Sequence, residues 1–208
     1  MRLIILGGFL GSGKTSILVR LADRILGFEG SDGRTKVAVI ENEIGQVGID
    51  NLYLDESSYT SKELFNGCVC CSMVTDLLEC LCDLEKNEDP KWVILETTGL
   101  ARPADIADNI WEYYDEDMSI TSIIVADAGR WQVLSENAGE LVHDQIRNSN
   151  YVLINKTDTV SEAELLKVKE DIAENTDGMQ YEVSWAKDPG EVDRVCDEII
   201  NEIVSWEQ

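Results

Sequence analysis

The run Gly8-Phe9-Leu10-Gly11-Ser12-Gly13-Lys14-Thr15 constrains this chain more than any other stretch. It fits G-x-x-x-x-G-K-[ST], and it lies between an apolar β-rich segment, Arg2–Leu6, and a segment in which Ile17, Leu18, Leu21 and Ile25 recur at helical spacing. A strand that passes through a glycine-rich turn into a helix N-terminus is a phosphate holder. Backbone N–H groups of Gly8, Gly11, Ser12 and Gly13 converge, the helix dipole adds partial positive charge, Lys14 neutralises β and γ phosphates, and the Thr15 hydroxyl takes a Mg²⁺ position, with Ser16 next to it. The same unit commits the chain to α/β architecture, because a helix leaving a strand this way returns to a parallel neighbour.

The remaining periodicity agrees. Strands are expected at Arg2–Leu6, Lys36–Ile40, Glu63–Phe65, Lys91–Leu95, Ser119–Ala126, Tyr151–Ile154 and Gln180–Ser184, with helices near Lys14–Leu26, Met73–Leu84, Ala104–Tyr114, Trp131–Asn148, Glu162–Glu174 and Glu191–Trp206. Alternation of this kind predicts a mostly parallel central sheet flanked by helices. The 208 residues suit one domain, and no proline-rich or low-complexity linker divides them. Against 41 acidic residues stand 17 Lys and Arg, a formal charge of −24, and Thr157 to the end holds 15 acids to 4 bases. Such a surface repels nucleic acid and anionic membranes. The absence of an apolar run of about 18 residues or of a secretory leader pattern makes a cytoplasmic address the expectation.

Tyr151-Val152-Leu153-Ile154 reads as a buried strand that ends in Asn155-Lys156-Thr157-Asp158, at the sheet edge where open α/β folds bind ligands. A carboxylate at Asp158 accepts from both the ring N–H and the exocyclic amine of guanine. Adenine offers a bare ring nitrogen there, so the pattern favours GTP over ATP. Asn155 reaches the other base edge, the Lys156 stem covers the ring, and Ser184, after the next strand, is a candidate second base contact. Lys91–Leu95 delivers Glu96 to the phosphate edge, where an acidic residue holds Mg²⁺ with Thr15, and Gly99 is placed to bring a backbone N–H to the γ-phosphate. Asp127 reads as a capped strand end and His143, the sole histidine, as a surface or helix-packing residue. Trp92 is the tryptophan best placed for the core, and Cys196 and Cys82 fit apolar helix faces, with Cys80 off that face.

Three of the six cysteines crowd into Cys68, Cys70 and Cys71, on a loop before a helix. Thiols packed so closely in a chain of this kind point to a metal or redox site more than to structural disulfides, and a helix start favours the thiolate that binds soft or borderline metals. Two thiolates from this cluster, completed by a carboxylate, water or a second subunit, form the expected site.

With these motifs placed, the sequence resembles the CobW family of the CobW/HypB/UreG group of P-loop GTPases, in the SIMIBI-like class. The resemblance is carried by Gly8–Ser16, Ile40–Asp50, the Asn66-Gly67-Cys68-Val69-Cys70-Cys71 block with Glu63–Phe65 before it, Leu95–Pro103 and Asn155–Asp158. It implies a metallochaperone or metalloenzyme-maturation factor that couples delivery of Zn, Co, Ni or Fe from the Cys-x-Cys-Cys loop to GTP hydrolysis. By the same resemblance Glu41 and Glu43 are the nearest acidic candidates for the metal, and Glu43 also a catalytic one. The client would be a metalloprotein or corrinoid enzyme, with a nucleotide-dependent homodimer among the expected assemblies. Two departures stand out: Gln46 occupies a position commonly held by glutamate, and residues 1–208 read as the GTPase domain without the C-terminal CobW-type domain or His-rich tract. Slow, partner-stimulated turnover is expected because no arginine finger is evident. The alternatives are a GTP-dependent switch or activator that carries no metal, and a P-loop small-molecule kinase, which would need neither Asn-Lys-x-Asp nor the cysteines.

Overall fold

The computed structural model describes residues 1–28, 37–41, 59–63, 72–113, 118–184 and 188–206. In chain order these form β1 (Arg2–Gly7), α1 (Lys14–Phe28), β2 (Val37–Glu41), β3 (Tyr59–Glu63), α2 (Ser72–Asn87), β4 (Trp92–Glu96), α3 (Pro103–Tyr113), β5 (Ser119–Asp127), α4 (Trp131–Arg147), β6 (Tyr151–Asn155), α5 (Glu162–Asn175), β7 (Met179–Val183) and α6 (Pro189–Ser205). The strands make one sheet in the order β3-β2-β4-β1-β5-β6-β7. Every described pairing is parallel, so the sheet goes beyond the mostly parallel one expected.

Period-two alternation along the strands sorts side chains between two faces. Ile4, Leu6, Val37, Val39, Ile94, Val125 and Leu153 pack under α1 and α6. On the other face Leu3, Ile5, Ala38, Ile40, Val93 and Leu95 lie against α2 and α3, while Ile124, Ala126, Val152 and Ile154 meet α4 and α5. Strands covered on both faces read as continuous apolar runs, as β1, β4 and β6 do. Each fully buried Ile or Leu contributes roughly 1.5–3 kcal/mol. α1 and α6 are also tied at their exposed margins, Arg24 to Asp197 through two bonds of 2.7 and 2.5 Å and Arg20 to Asp193 at 3.2 Å.

Three local readings change. The strand expected at Glu63–Phe65 lies earlier, at Tyr59–Glu63, and Leu64 and Phe65 fall outside the described residues; this sheet-edge strand is Tyr-Thr-Ser-Lys-Glu, polar but for Tyr59, so it carries no apolar run and only Tyr59 and Thr60 favour a strand. α4 is interrupted at Ala138, whose φ of −141° is not helical. On α2 the buried face is Leu77, Leu81 and Leu84, so it is Cys80 that packs against the core, and Cys82 is only half-buried one position off that face. Trp92 is fully buried with the Arg2 guanidinium 4.9 Å above its ring, and Cys196 is likewise in the core.

Burial pushes the Cys196 thiol from its ordinary 9.0 up to about 12. An unfolded chain therefore ionises this thiol from about pH 9 upward while the folded one holds its proton, so its contribution to stability is complete below 9 and is lost as pH rises towards 12. Cys196→Ala should lower stability at neutral pH through its cavity, yet lose less on going from neutral to strongly alkaline solution. Thermal melts at both ends of that range check it, and an equal alkaline loss in both proteins would contradict the burial. Tyr151 and Tyr181, whose hydroxyls are also pushed up mainly by desolvation, act in the same direction in both proteins.

Candidate nucleotide site

The chain leaves β1 at the centre of the sheet and turns first to β2 and later to β5 on the opposite side, so strand order reverses at β1. Open parallel sheets bind ligands in the crevice at the carboxyl ends of the strands at that point. The Gly8–Thr15 loop stands there. Gly8 has φ +128°, and a Cβ on it would lie 2.3 Å from the Val125 carbonyl oxygen; Gly13 has φ +105°, with a Cβ position 2.4 Å from Asn155 Nδ2. Neither position accepts a side chain.

Three consecutive carbonyls of this loop are each held by a side chain from elsewhere. Arg130 Nη1 donates to Leu10 O at 2.7 Å, Lys156 Nζ to Gly11 O at 2.5 Å, and Asn155 Nδ2 to Ser12 O at 2.8 Å. Because a trans peptide sets its N–H opposite its C=O, carbonyls held in this way turn the N–H groups of Gly11 and Gly13 away from those side chains, towards the concave side. Ser12 N–H meets Phe9 O at 3.1 Å, which closes the turn. The Ser12 hydroxyl is buried without a hydrogen-bond partner among the described residues, a polar group that burial alone leaves unsatisfied. Lys14, the first residue of α1, is buried to 5% exposure, and Ser16 is exposed.

Thr15 Oγ1 donates to Glu96 Oε1 at 3.1 Å, and Glu96, at the end of β4, is only 3% exposed. A hydroxyl and a buried carboxylate brought together beside a phosphate loop are the hard oxygen donors that Mg²⁺ prefers, so the residues fit that ion. Gly99 presses on the loop from the same side: a Cβ there would come within 2.8 Å of Leu10 N. Glu41 pairs in register with Glu96 on one side and Glu63 on the other, so β2 and β3 end at the same edge. Cys68, Cys70, Cys71 and Glu43 lie outside the described residues, and the side chain of Glu41 is likewise not described. Among the described residues no group of three His, Cys, Asp or Glu could hold a metal ion.

Asn155 and Lys156 thus serve the phosphate loop as well as the position expected for a base. Lys156 adopts φ +62°, and its Nζ also meets Asp127 Oδ2 at 2.8 Å. Asp127, read from sequence as a strand cap, does this too, accepting from the Gly129 N–H at 3.0 Å. A single 3₁₀ turn, Thr157–Thr159, carries Asp158, whose Oδ1 accepts a short hydrogen bond from the Ser184 hydroxyl. Ser184 is fully buried, and its own N–H donates to Glu191 Oε2 at 3.2 Å. Residues 185–187, the rest of that loop, lie outside the described set. His143 is partly buried, with Nε2 3.3 Å from Ser135 Oγ and 3.4 Å from Asp171 Oδ2, a helix-packing contact between α4 and α5.

Two residues escaped the sequence reading. Arg130 follows a strand end and looks like a surface turn residue. Gln145 sits in α4 between Val142 and Ile146, and that lone polar residue on an apolar stripe was the available signal.

An all-parallel sheet with this loop at its switch point and Asn-Lys-x-Asp at the end of β6 defines a P-loop nucleotide-binding domain of the GTPase type. The chain belongs to the CobW/HypB/UreG family, whose nucleotide-binding domain matches residues 2–182. It is 30% identical over 175 residues to the zinc chaperone YjiA of Escherichia coli K12, a match covering 78% of this chain and 51% of that protein. It is 30% identical over 200 residues to zinc-regulated GTPase metalloprotein activator 1 of Dictyostelium discoideum, covering 76% of this chain and 40% of the relative. The chain therefore spans about half the length of the curated relatives it matches. Zn(II)-bound YjiA GTPase from E. coli superposes with a TM-score of 0.62 at 25% identity, covering 87% of this chain and 57% of that one. The hydrogenase maturation factor HypB from Archaeoglobus fulgidus has a similar fold, with a TM-score of 0.66 at 17% identity over 98% of this chain and 90% of that one. Among the described residues no helix is long and apolar enough to cross a membrane.

Proposed function

We propose that this domain binds and slowly hydrolyses GTP and uses the γ-phosphate to time delivery of a transition metal, zinc first among candidates, to a client metalloprotein. The observation that carries the nucleotide half is the grip of Arg130, Lys156 and Asn155 on three successive loop carbonyls, which joins the Asn-Lys-x-Asp segment and the phosphate loop into one site. In this reading the loop N–H groups and Lys14 bind the phosphates, Asp158, oriented by the buried Ser184 hydroxyl, reads the base, and Gly99 senses the γ-phosphate. Mg²⁺ held by Thr15 and Glu96 would offset phosphate charge as it builds on the leaving oxygens. Pre-oriented amides cost nothing to reorganise at the moment of bond breaking.

The metal half rests on the relatives named as zinc chaperones and on Cys68, Cys70 and Cys71. In sequence those thiols fall between Glu63, which ends β3 in register with Glu41 and through it with Glu96, and Ser72 at the start of α2. Metal is cargo here, received as thiolate ligands form and passed on when the loop changes state. Linkage requires that GTP and metal raise each other's affinity by the same factor, expected to be roughly tenfold. Zinc titrations of the reduced protein under GDP, GTP and a nonhydrolysable analogue test this. Cys70→Ser with Cys71→Ser should remove zinc binding and the enhancement together while GTP affinity stays near its metal-free value. Equal zinc affinity in all three nucleotide states would overturn timed delivery.

A further inference from the structure

α4 reaches back to the loop that follows β4. Gln145 is 3% exposed, and its Nε2 donates to two carbonyls of that loop, Gly99 O at 3.1 Å and Ala101 O at 2.7 Å. One residue earlier, Asp144 Oδ2 lies 3.1 Å from Arg102 Nη2 at the end of the same loop. From the opposite side Gly99 is pressed against the phosphate loop, its Cβ position 2.8 Å from Leu10 N and 3.4 Å from Phe9 C. A carboxamide placed on an apolar helix face is costly unless its hydrogens are bonded, and Nε2 directs both of its hydrogens to this loop. The start of the loop is fixed independently, since Thr97 N–H donates to Leu6 O at 3.0 Å. Residues 99–102 have α4 as their outer support.

We infer that Gln145, aided by the Arg102–Asp144 pair, is a positioning residue for γ-phosphate recognition that acts through Gly99. The inference rests on the nucleotide site proposed above. The Gly8–Thr15 loop holds the phosphates common to GDP and GTP through its own clamp, which does not include Gln145. In the reading proposed above, the loop at Gly99 adds the contact to the third phosphate, which GDP lacks. Loosening α4's hold should therefore cost GTP affinity and leave GDP affinity intact, a signature that a mere scaffold residue would not give.

Gln145→Met keeps length and apolar packing but loses both hydrogen bonds. Titrated with GDP and with a nonhydrolysable GTP analogue, it should bind the analogue roughly tenfold more weakly and GDP within about twofold of the unsubstituted protein. Equal losses for both nucleotides, or no loss for either, would overturn the inference. Should Gln145→Met fail to fold, Arg102→Ala frees the same loop at an exposed pair. Its analogue-to-GDP affinity ratio should fall by roughly threefold, and an unchanged ratio would overturn the inference as well. The unsubstituted protein separates the two claims: if it binds analogue and GDP equally, the γ-phosphate contact at Gly99 fails and the proposed function with it. If it discriminates and Gln145→Met discriminates just as well, only the role of Gln145 is lost.

Discussion

Lys14→Ala should lower GTP hydrolysis by about a thousandfold, at the upper end of what removing one pre-oriented charge-stabilising group costs. Lys14 opens α1 immediately after the last glycine of the loop and is buried to 5% exposure, so its ammonium is withdrawn from solvent. In the transition state charge spreads over the oxygens of the transferred phosphoryl group, and a buried cation acts on it far more strongly than one in water. Loop amides and Mg²⁺ remain in the variant, which is why a residual rate is expected. Basal turnover is itself expected on the order of 10⁻² per second or slower, since Arg130, which reaches the phosphate loop from the end of β5, is occupied with the Leu10 carbonyl. The fold should survive, because the core beneath α1 is carried by Ile17, Leu18, Leu21 and Ile25. Single-turnover hydrolysis alongside a thermal melt checks both points. A folded variant whose rate stays within tenfold of the parent would remove Lys14 from the chemistry and weaken the GTPase reading.

How much of this was readable in the sequence depends on whether the determinant is local. The phosphate loop was, because glycines at positive φ, a preceding apolar strand and a following amphipathic helix are all encoded within one short stretch. So was the order of elements, since strands buried on both faces leave unbroken apolar runs. The sheet edge was less legible: Tyr59–Glu63 carries no such run, and Leu64-Phe65 drew the expected strand beyond its end. Residues acting across the fold were least visible. Arg130 lies 120 positions from Leu10, and Gln145 lies 46 from Gly99, so nothing in their neighbours reveals the partner. Asp127 shows the intermediate case. Its cap to Gly129 is local and was expected, whereas its ion pair with Lys156 needs β5 and β6 side by side.

The same long-range geometry gives Asp158→Asn its expected effect, a loss of about a hundredfold in GTP affinity with the fold retained. Lys156 at φ +62° reverses the chain after β6, and the 3₁₀ turn then presents Asp158 beside Ser184, whose hydroxyl donates to Oδ1. That bond orients the carboxylate and stabilises its charge, while guanine supplies two further donors, its ring N–H and exocyclic amine. Asparagine keeps an oxygen for Ser184 but turns an N–H₂ towards the guanine amine, setting donor against donor, and charge-assisted bonds of this kind account for a loss of about two orders of magnitude. Xanthine carries a carbonyl where guanine has the amine, so the variant should come to prefer xanthosine triphosphate over GTP. Asn155 and Lys156 still clamp the phosphate loop, which leaves the phosphate contribution common to every nucleotide unchanged. Parallel titrations with GTP, ATP and xanthosine triphosphate decide the matter. Equal affinity of the unsubstituted protein for GTP and ATP, or a variant that keeps GTP within about threefold, would place base recognition somewhere other than Asp158.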